Sequence, residues 1–168
     1  VHLAEENPRQ IQSIVETSIR NLNMVIRDVR NYIIGLQPEG LQASGLSRSL
    51  ADLAHGLSLN RLIEVKLDVE PDIDAALTPE QTGHLFQICR EALTNVVKHA
   101  GASKALLALA RFDRQCRHRV EDDGRGFDPT RRSASGQGLR TMEERAKRLG
   151  GVLQVEGMEG RGTRVTIE

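Results

Sequence analysis

The chain has 168 residues and a mass of 18.6 kDa, which suits one domain of ordinary size or a small domain with an appended element. Its 23 basic and 23 acidic residues give a net charge of zero, and this balance argues against a general nucleic-acid binder or a polybasic membrane anchor. No apolar run approaches the roughly 20 residues of a membrane span, so we expect no direct membrane contact.

The first segment carries apolar residues at alternating spacings of four and three. These residues are Val15, Ile19, Leu22, Ile26, Val29, Ile33 and Leu36. The heptad pattern predicts a long helix within residues 1–38 that packs against other helices. Because the sequence contains no second long heptad helix, we expect the partner helix to come from a second chain or from a segment outside this one. An amphipathic helix that lies on its own domain is the alternative.

A linker is predicted over residues 39–45, and a domain over residues 46–168. Apolar residues at helical spacing predict a short helix over 46–59, and Ile63, Val65, Leu67 and Val69 alternate with polar residues as in a half-buried strand. Thr78 is a predicted N-cap for a long helix that ends near Ala100. The remaining predicted elements are strands over 104–111 and 115–121, a helix over 139–149, and a hairpin of strands 152–156 and 163–167. The order predicts an α/β (α+β) two-layer sandwich with helices over a sheet.

Polar residues lie on one face of the long predicted helix. Glu91, Asn95 and Lys98 follow the spacing i, i+4, i+7, and His99 is beside them. An amide oxygen suits Mg²⁺ whose other ligands are phosphates and waters, and an ammonium group neutralises phosphate. Taken alone, the stripe is also compatible with an ordinary solvated helix face.

Glycine-rich turns occur at three later places. Asp122-Asp123-Gly124-Arg125-Gly126 follows a predicted strand, and a carboxylate at the start of such a turn can accept a hydrogen bond from an amino group. Gly136-Gln137-Gly138 precedes a predicted helix, whose first N–H groups form an anion site. A third turn, Gly160-Arg161-Gly162-Thr163, adds a hydroxyl. Plain loops and turns are the alternative for each.

Together the motifs resemble the ATP-binding domain of sensor histidine kinases. REALTNVVKHA (90–100) is similar to the N box, VEDDGRGF (120–127) and GQGLRTMEERAKRLGG (136–151) to two glycine boxes, and GRGT (160–163) to the last one. The residues of these motifs are most similar to those of the subfamily that signals to nitrate- and redox-type response regulators and has a short ATP lid. The first helix resembles the second helix of that subfamily's dimerisation and phosphotransfer bundle.

The resemblance implies a Bergerat-type ATPase fold that binds ATP and Mg²⁺ between the long helix and a lid. It implies that Asn95 ligates Mg²⁺, that Glu91 acts beside it, and that Asp122 binds the adenine amine. The other implied nucleotide contacts are Lys98 and His99 at the phosphates, Gly124 and Gly126 at the adenine pocket, Gly136, Gly138 and Leu139 at the lid hinge, and Thr163 on the adenine side. Arg125, Arg131 and Arg132 are further candidates for phosphate or lid contacts.

The implied activity is transfer of the ATP γ-phosphoryl group to a histidine and then to an aspartate of a response regulator receiver domain. None of the five histidines is followed by Asp or Glu, as the acceptor in this subfamily is, so we expect the acceptor helix to lie outside this chain. The resemblance also implies a homodimer through the N-terminal helix and a cytoplasmic, bacterial setting. The alternatives are an ATPase of the same superfamily, as in gyrase, mismatch-repair proteins or chaperones, and a nucleotide-binding dimeric scaffold.

Overall fold

The computed structural model describes most of the second portion of the chain and part of the first helix. The described residues are 11–12, 14–19, 21–22, 41–59, 62–112, 115–126, 137–157 and 160–168. The chain divides into two compact units, Val1–Leu36 and Gln37–Glu168. The predicted boundaries at residues 38 and 45 stay predictions.

The first unit contains helix α1, which is helical at the described positions between residues 11 and 22. Three predicted seam residues fall in this part, and the exposed fractions of Val15, Ile19 and Leu22 are 48%, 52% and 61%. Large apolar side chains in a row at this exposure form a surface suited to a partner helix. The remaining seam positions and both predicted helix ends lie outside the described residues.

The described residues of the second unit form three helices, two short turns of other helical types, and five strands. In chain order they are α2 (Leu41–Leu59), β1 (Glu64–Val69), a 3₁₀ turn (Ile73–Ala76), α3 (Pro79–Asn95), a π turn (Val96–Ala100), β2 (Lys104–Phe112), β3 (Gln115–Asp122), α4 (Gln137–Arg148), β4 (Leu153–Gly157) and β5 (Thr163–Ile167). The strands form one sheet in the order β1-β2-β3-β5-β4. Strands β1 and β2 are parallel, and the other neighbouring pairs are antiparallel. The predicted mixed α/β fold is therefore confirmed.

One face of the sheet faces the helices, and the alternation of side chains along each strand sets which residues it buries. Along β1, Glu64, Lys66 and Asp68 are exposed while the three apolar residues between and after them are half-buried. Leu107 and Leu109 of β2 are fully buried. The core thus lies between this face and helices α2, α3 and α4. Packing in the core places the end of β3 beside the C-terminus of α3.

Two helix starts are fixed by side chains. Thr78 Oγ1 accepts the N–H of Gln81 at 3.2 Å, and Gln81 Oε1 accepts the N–H of Thr78 at 2.9 Å, which confirms the predicted cap of α3. In α2 the helical backbone breaks at Gly45, where φ is 78°. After this break, Asp74 Oδ1 accepts the N–H groups of Leu46 and Ser47 at 2.6 and 3.1 Å. Residues 41–44, which were predicted as linker, are helical.

A histidine and a cysteine form a buried polar pair between α3 and β3. His118 has no exposed surface, and its Nε2 lies 3.1 Å from Cys89 Sγ. Burial lowers the pKa of His118 to about 4 and raises the pKa of the Cys89 thiol. Both groups are therefore neutral at pH 7, and His118 Nδ1 has no hydrogen-bond partner among the described residues.

Candidate functional site

A cavity of about 470 Å³ lies beside the C-terminus of α3, and most of the sequence motifs meet around it. Its walls come from the end of α3 and the π turn, from the end of β3 and the turn after it, from the start of α4, and from β4 and β5. The lining residues are Ala92, Asn95, Val96, His99, Ala100, Val120, Asp122, Arg125, Gly126, Gly138, Leu139, Val155, Thr163 and Val165. The volume is in the range of sites for small organic ligands.

The structure brings eight of the predicted site residues together in these walls. They are Asn95, His99, Asp122, Arg125, Gly126, Gly138, Leu139 and Thr163. Glu91, Lys98 and Gly124 are not among the described lining residues. Gly136, Arg131 and Arg132 lie outside the described residues.

The π turn explains why His99 reaches the wall and Lys98 does not. The prediction placed Lys98 on the face of Asn95 by α-helical spacing, but residues 96–100 form a π turn, which has more residues per turn. Each residue then advances by a smaller angle around the helix axis. His99, four residues after Asn95, therefore points in nearly the same direction as Asn95, whereas Lys98, three residues after it, points away. Both side chains are exposed to solvent, but only His99 is among the lining residues of the cavity.

Glu91 lies next to the cavity, one helical turn before Asn95. A side chain added at Gly138 would collide with the Glu91 carboxylate, so this carboxylate packs directly against the first turn of α4. A larger residue at position 138 would displace the end of the Glu91 side chain. The structure therefore places Glu91 beside the lining residue Gly138, although it is not itself in the described wall.

The turn after β3 is held tightly on both of its sides. Asp122 Oδ1 accepts the N–H of Gly124 at 2.8 Å, and the N–H of Arg125 donates to the carbonyl oxygen of Ala100 at 2.9 Å. A Cβ at Gly124 would overlap with Ala100. On the other side, the N–H of Gly160 donates to the Arg125 carbonyl at 2.7 Å. These contacts fix the Asp122 carboxylate at the cavity wall.

Asp123 is part of this arrangement, and the sequence reasoning gave it no role. Its Oδ1 accepts the N–H groups of Ser103 and Lys104 at 2.8 and 2.9 Å, and its Oδ2 accepts the Ser103 hydroxyl at 2.7 Å. These bonds, the one from Lys104 foremost, hold the pKa of the Asp123 carboxyl below its usual value. A pair of adjacent carboxylates in a turn gives no signal of which one faces a ligand.

The wall combines an apolar part with polar groups at its ends. The apolar part consists of Ala92, Val96, Ala100, Val120, Val155 and Val165. Asp122 is the one carboxylate among the described lining residues, whereas Asn95, His99 and Arg125 supply an amide, an imidazole and a cation. Such a wall suits a flat apolar ring with an amino group at one edge and an anionic group at the other end.

The cavity has backbone N–H groups that can bind an anion and an amide oxygen that can bind a cation. Gly138 and Leu139 belong to the first turn of α4, whose free N–H groups and dipole favour an anion. The amide oxygen of Asn95 is a hard ligand of the kind that Mg²⁺ takes from proteins. In the part of the chain that the structure describes, no group of three or more His, Cys, Asp or Glu residues is arranged to hold a metal ion.

A family model agrees with this arrangement. The model for histidine kinase-, DNA gyrase B- and HSP90-like ATPases matches residues 80–168, which include α3, the π turn, the turn after β3, α4 and the final hairpin. The chain belongs to this ATPase family. Membership of this family implies that the domain binds ATP.

Relatives and solved structures narrow the class. Sensor histidine kinase LiaS of Bacillus subtilis is 35% identical over 141 residues, which cover 84% of this chain and 38% of that protein. Sensor histidine kinase MctS of Rhizobium johnstonii is 33% identical over 155 residues, which cover 90% of this chain and 33% of that protein. A blue-light-activated histidine kinase of Erythrobacter litoralis superposes with a TM-score of 0.62 at 28% identity, over 73% of this chain and 40% of that one.

The ATPase-family domain is thus of the sensor histidine kinase type, as the sequence motifs predicted. The chain spans 33% to 38% of the length of the two curated relatives. No helix among the described residues is long and apolar enough to cross a membrane.

Proposed function

We propose that this chain is the catalytic, ATP-binding part of a sensor histidine kinase that passes the γ-phosphoryl group to a histidine and then to a response regulator aspartate. The observation that supports the proposal best is the convergence of Asn95, Asp122 and Gly138 on one cavity of about 470 Å³. An amide ligand, a fixed carboxylate and a helix N-terminus come from three separate motifs. They match the three parts of a nucleotide triphosphate: metal-bound phosphate, base and free phosphate.

The base is proposed to lie against the apolar wall. The Asp122 carboxylate, held by the N–H of Gly124, would accept a hydrogen bond from the amino group of adenine. Thr163 would close the same side of the pocket, and Gly126 would leave room for the ring. A carboxylate accepts hydrogen bonds, so it selects an amino group, which donates one, over a carbonyl oxygen. Because this carboxylate is already oriented, it loses little entropy when the base binds.

The triphosphate is proposed to run from the base toward α4. The N–H groups at Gly138 and Leu139 would bind phosphate oxygens, and His99 would contact them from the π turn. Lys98, with its exposed side chain, and Gly136 keep their proposed roles at the phosphates and the lid. These groups hold and neutralise the phosphates without a nucleophile of their own, which suits phosphoryl transfer to an external acceptor.

We propose that Asn95 holds Mg²⁺ together with phosphate oxygens and water. Its amide oxygen fits this ion, which when bound offsets the negative charge that develops on the transferred group. Glu91 lies one turn away and would orient a water in the outer shell of the ion or accept a proton during transfer.

The remaining proposals concern the whole protein. The exposed apolar side chains of α1 support a homodimer through this helix, as in the bundles of the nitrate- and redox-sensor subfamily. The phosphoacceptor histidine would belong to a helix outside this chain, and the partner after transfer would be a receiver domain. Because ATP is its substrate, the domain would work in the bacterial cytoplasm.

Calorimetric titration of the chain with ATP tests the proposal. With Mg²⁺ present we expect binding that Asn95→Ala weakens about tenfold, because a metal ligand is lost, while binding in EDTA stays alike in both proteins. Asn21→Ala, on the exposed face of α1, is the matched control and should bind like the parent chain. Equal Mg²⁺-dependent affinity of Asn95→Ala and the parent chain would contradict the assigned site.

A second assay separates a kinase from a plain ATPase. The chain is mixed with a supplied bundle helix that carries an acceptor histidine followed by an acidic residue, and with labelled ATP. Label on the supplied histidine supports the kinase. Steady release of phosphate without labelled histidine would instead indicate an ATPase, and ATP binding with neither product would indicate a nucleotide-binding scaffold.

A further inference from the structure

Two adjacent carboxylates follow β3, and the structure gives them opposite orientations. Asp122 lines the cavity, whereas the exposed Asp123 turns to the segment between the π turn and β2. There its carboxylate accepts three hydrogen bonds of 2.7 to 2.9 Å, from the N–H and hydroxyl of Ser103 and from the N–H of Lys104. The N–H of Asp123 also donates to the Lys104 carbonyl at 3.2 Å.

These four bonds join two segments that both carry site residues. Ser103 and Lys104 follow the π turn, which holds His99 in the wall, and Asp123 directly follows Asp122. The bond from the N–H of Arg125 to Ala100 joins the same two segments two residues further along. Residues 123 and 125 thus clamp the turn, and Gly124 lies between them against Ala100 with no room for a Cβ.

The clamp controls where the Asp122 carboxylate can be. In the part of the chain that the structure describes, the Asp122 carboxylate accepts one hydrogen bond, from the N–H of Gly124, and Gly124 keeps its place because its two neighbours are anchored. Without the Asp123 carboxylate, the turn would lose three of these anchors at its first residue. A misplacement of about 1 Å at a hydrogen-bonding group is enough to weaken recognition strongly.

We propose that Asp123 is a positioning residue for base selection: its carboxylate anchors the turn to Ser103 and Lys104, and so places Asp122 to select adenine. This inference rests on the proposed function, because it takes the cavity to bind ATP through Asp122. It adds a residue that does not touch the nucleotide and yet determines which nucleotide is preferred.

The test compares Asp123→Ala with Asp123→Asn in the full 168-residue chain. Affinities for ATP and for inosine triphosphate, which has a carbonyl oxygen in place of the amino group, are measured by calorimetry with Mg²⁺. In Asp123→Ala we expect ATP affinity about tenfold lower and the ATP-to-inosine-triphosphate ratio about threefold smaller, since bonds to a charged acceptor are lost. Asp123→Asn keeps an oxygen for both N–H groups and an amide for the Ser103 hydroxyl, so its ratio should stay within about twofold of the parent.

A ratio in Asp123→Ala equal to that of the parent chain would overturn the inference, even if both affinities fall together, because that is what a merely structural residue would do. If Asp123→Ala does not fold, Ser103→Ala decides, since it removes one bond and leaves two. In Ser103→Ala the ratio of ATP affinity to inosine-triphosphate affinity should be about twofold smaller than in the parent chain. An unchanged ratio in this variant would overturn the inference as well. A parent chain that binds neither nucleotide would instead refute the proposed function itself.

Discussion

Acidification should destabilise the second unit through His118, and the structure gives the size of the effect. The imidazole has no exposed surface, and burial lowers its pKa to about 4 from an ordinary value of 6.5. Between these two pH values the unfolded chain takes up a proton that the folded chain refuses. The free energy of unfolding therefore falls as the pH drops from 6.5 towards 4, and is unaffected by this group above pH 6.5.

From these two pKa values we expect the free energy of unfolding to fall by about 2 kcal/mol between pH 7.5 and pH 5. Urea unfolding followed by circular dichroism at both pH values measures it, which suits a chain with no Trp and one Tyr. His118→Leu removes the titrating group, so its free energy of unfolding should fall far less than that of the parent chain between the same two pH values. His55→Gln, at an exposed position of α2, is the matched control and should keep the full loss.

The result that would refute this reasoning is an equal pH dependence in the parent chain and in His118→Leu. It would mean that His118 titrates in the folded chain near its ordinary pKa. In that case the buried contact with Cys89 would have to accommodate a charged imidazole, contrary to the cost of burying an unpaired charge.

Three further predictions concern other parts of the chain. Gly162→Ala should abolish most ATP binding and destabilise the fold, because its Cβ would collide with the carbonyl oxygen of Asp122; Gly160→Ala, at a similar positive φ but with open space around it, should cost only about 1 kcal/mol. Calorimetry and urea unfolding of both variants check this, and equal effects would contradict it. Asp74→Ala should lower the free energy of unfolding by about 1 to 2 kcal/mol by removing the acceptor for the N–H groups that follow the break in α2 at Gly45, whereas Asp52→Ala, in an exposed pair, should cost under about 0.5 kcal/mol. The chain alone should acquire no phosphohistidine from labelled ATP, and a labelled histidine on it would show that the acceptor had been misjudged.

Local patterns in the sequence predicted the strands and the main part of each α-helix of the second unit, but not the 3₁₀ turn or the π turn. The alternation from Ile63 to Val69 predicted β1, and Thr78 before Pro79 predicted the start of α3, because both signals depend on neighbouring residues alone. The cap on the α2 helix was not predictable in this way. Asp74 lies 28 residues from Leu46 in the chain, and only the fold brings them into contact.

The site was predictable in its membership and less so in its details. The glycine-rich motifs pointed to residues that do line the cavity, such as Asp122 and Gly138. Side-chain directions within motifs were harder to predict. The π turn moves Lys98 off the face of Asn95, and the different hydrogen bonds of Asp122 and Asp123 arise from contacts with residues 100–104.

A crystal structure with Mg²⁺ and a non-hydrolysable ATP analogue tests the central claim most directly. The account predicts the adenine ring against the apolar wall with its amino group at Asp122, the phosphates at the first turn of α4, and the metal ion at the Asn95 amide oxygen. A ligand bound elsewhere on the chain, with this cavity empty, would contradict the account.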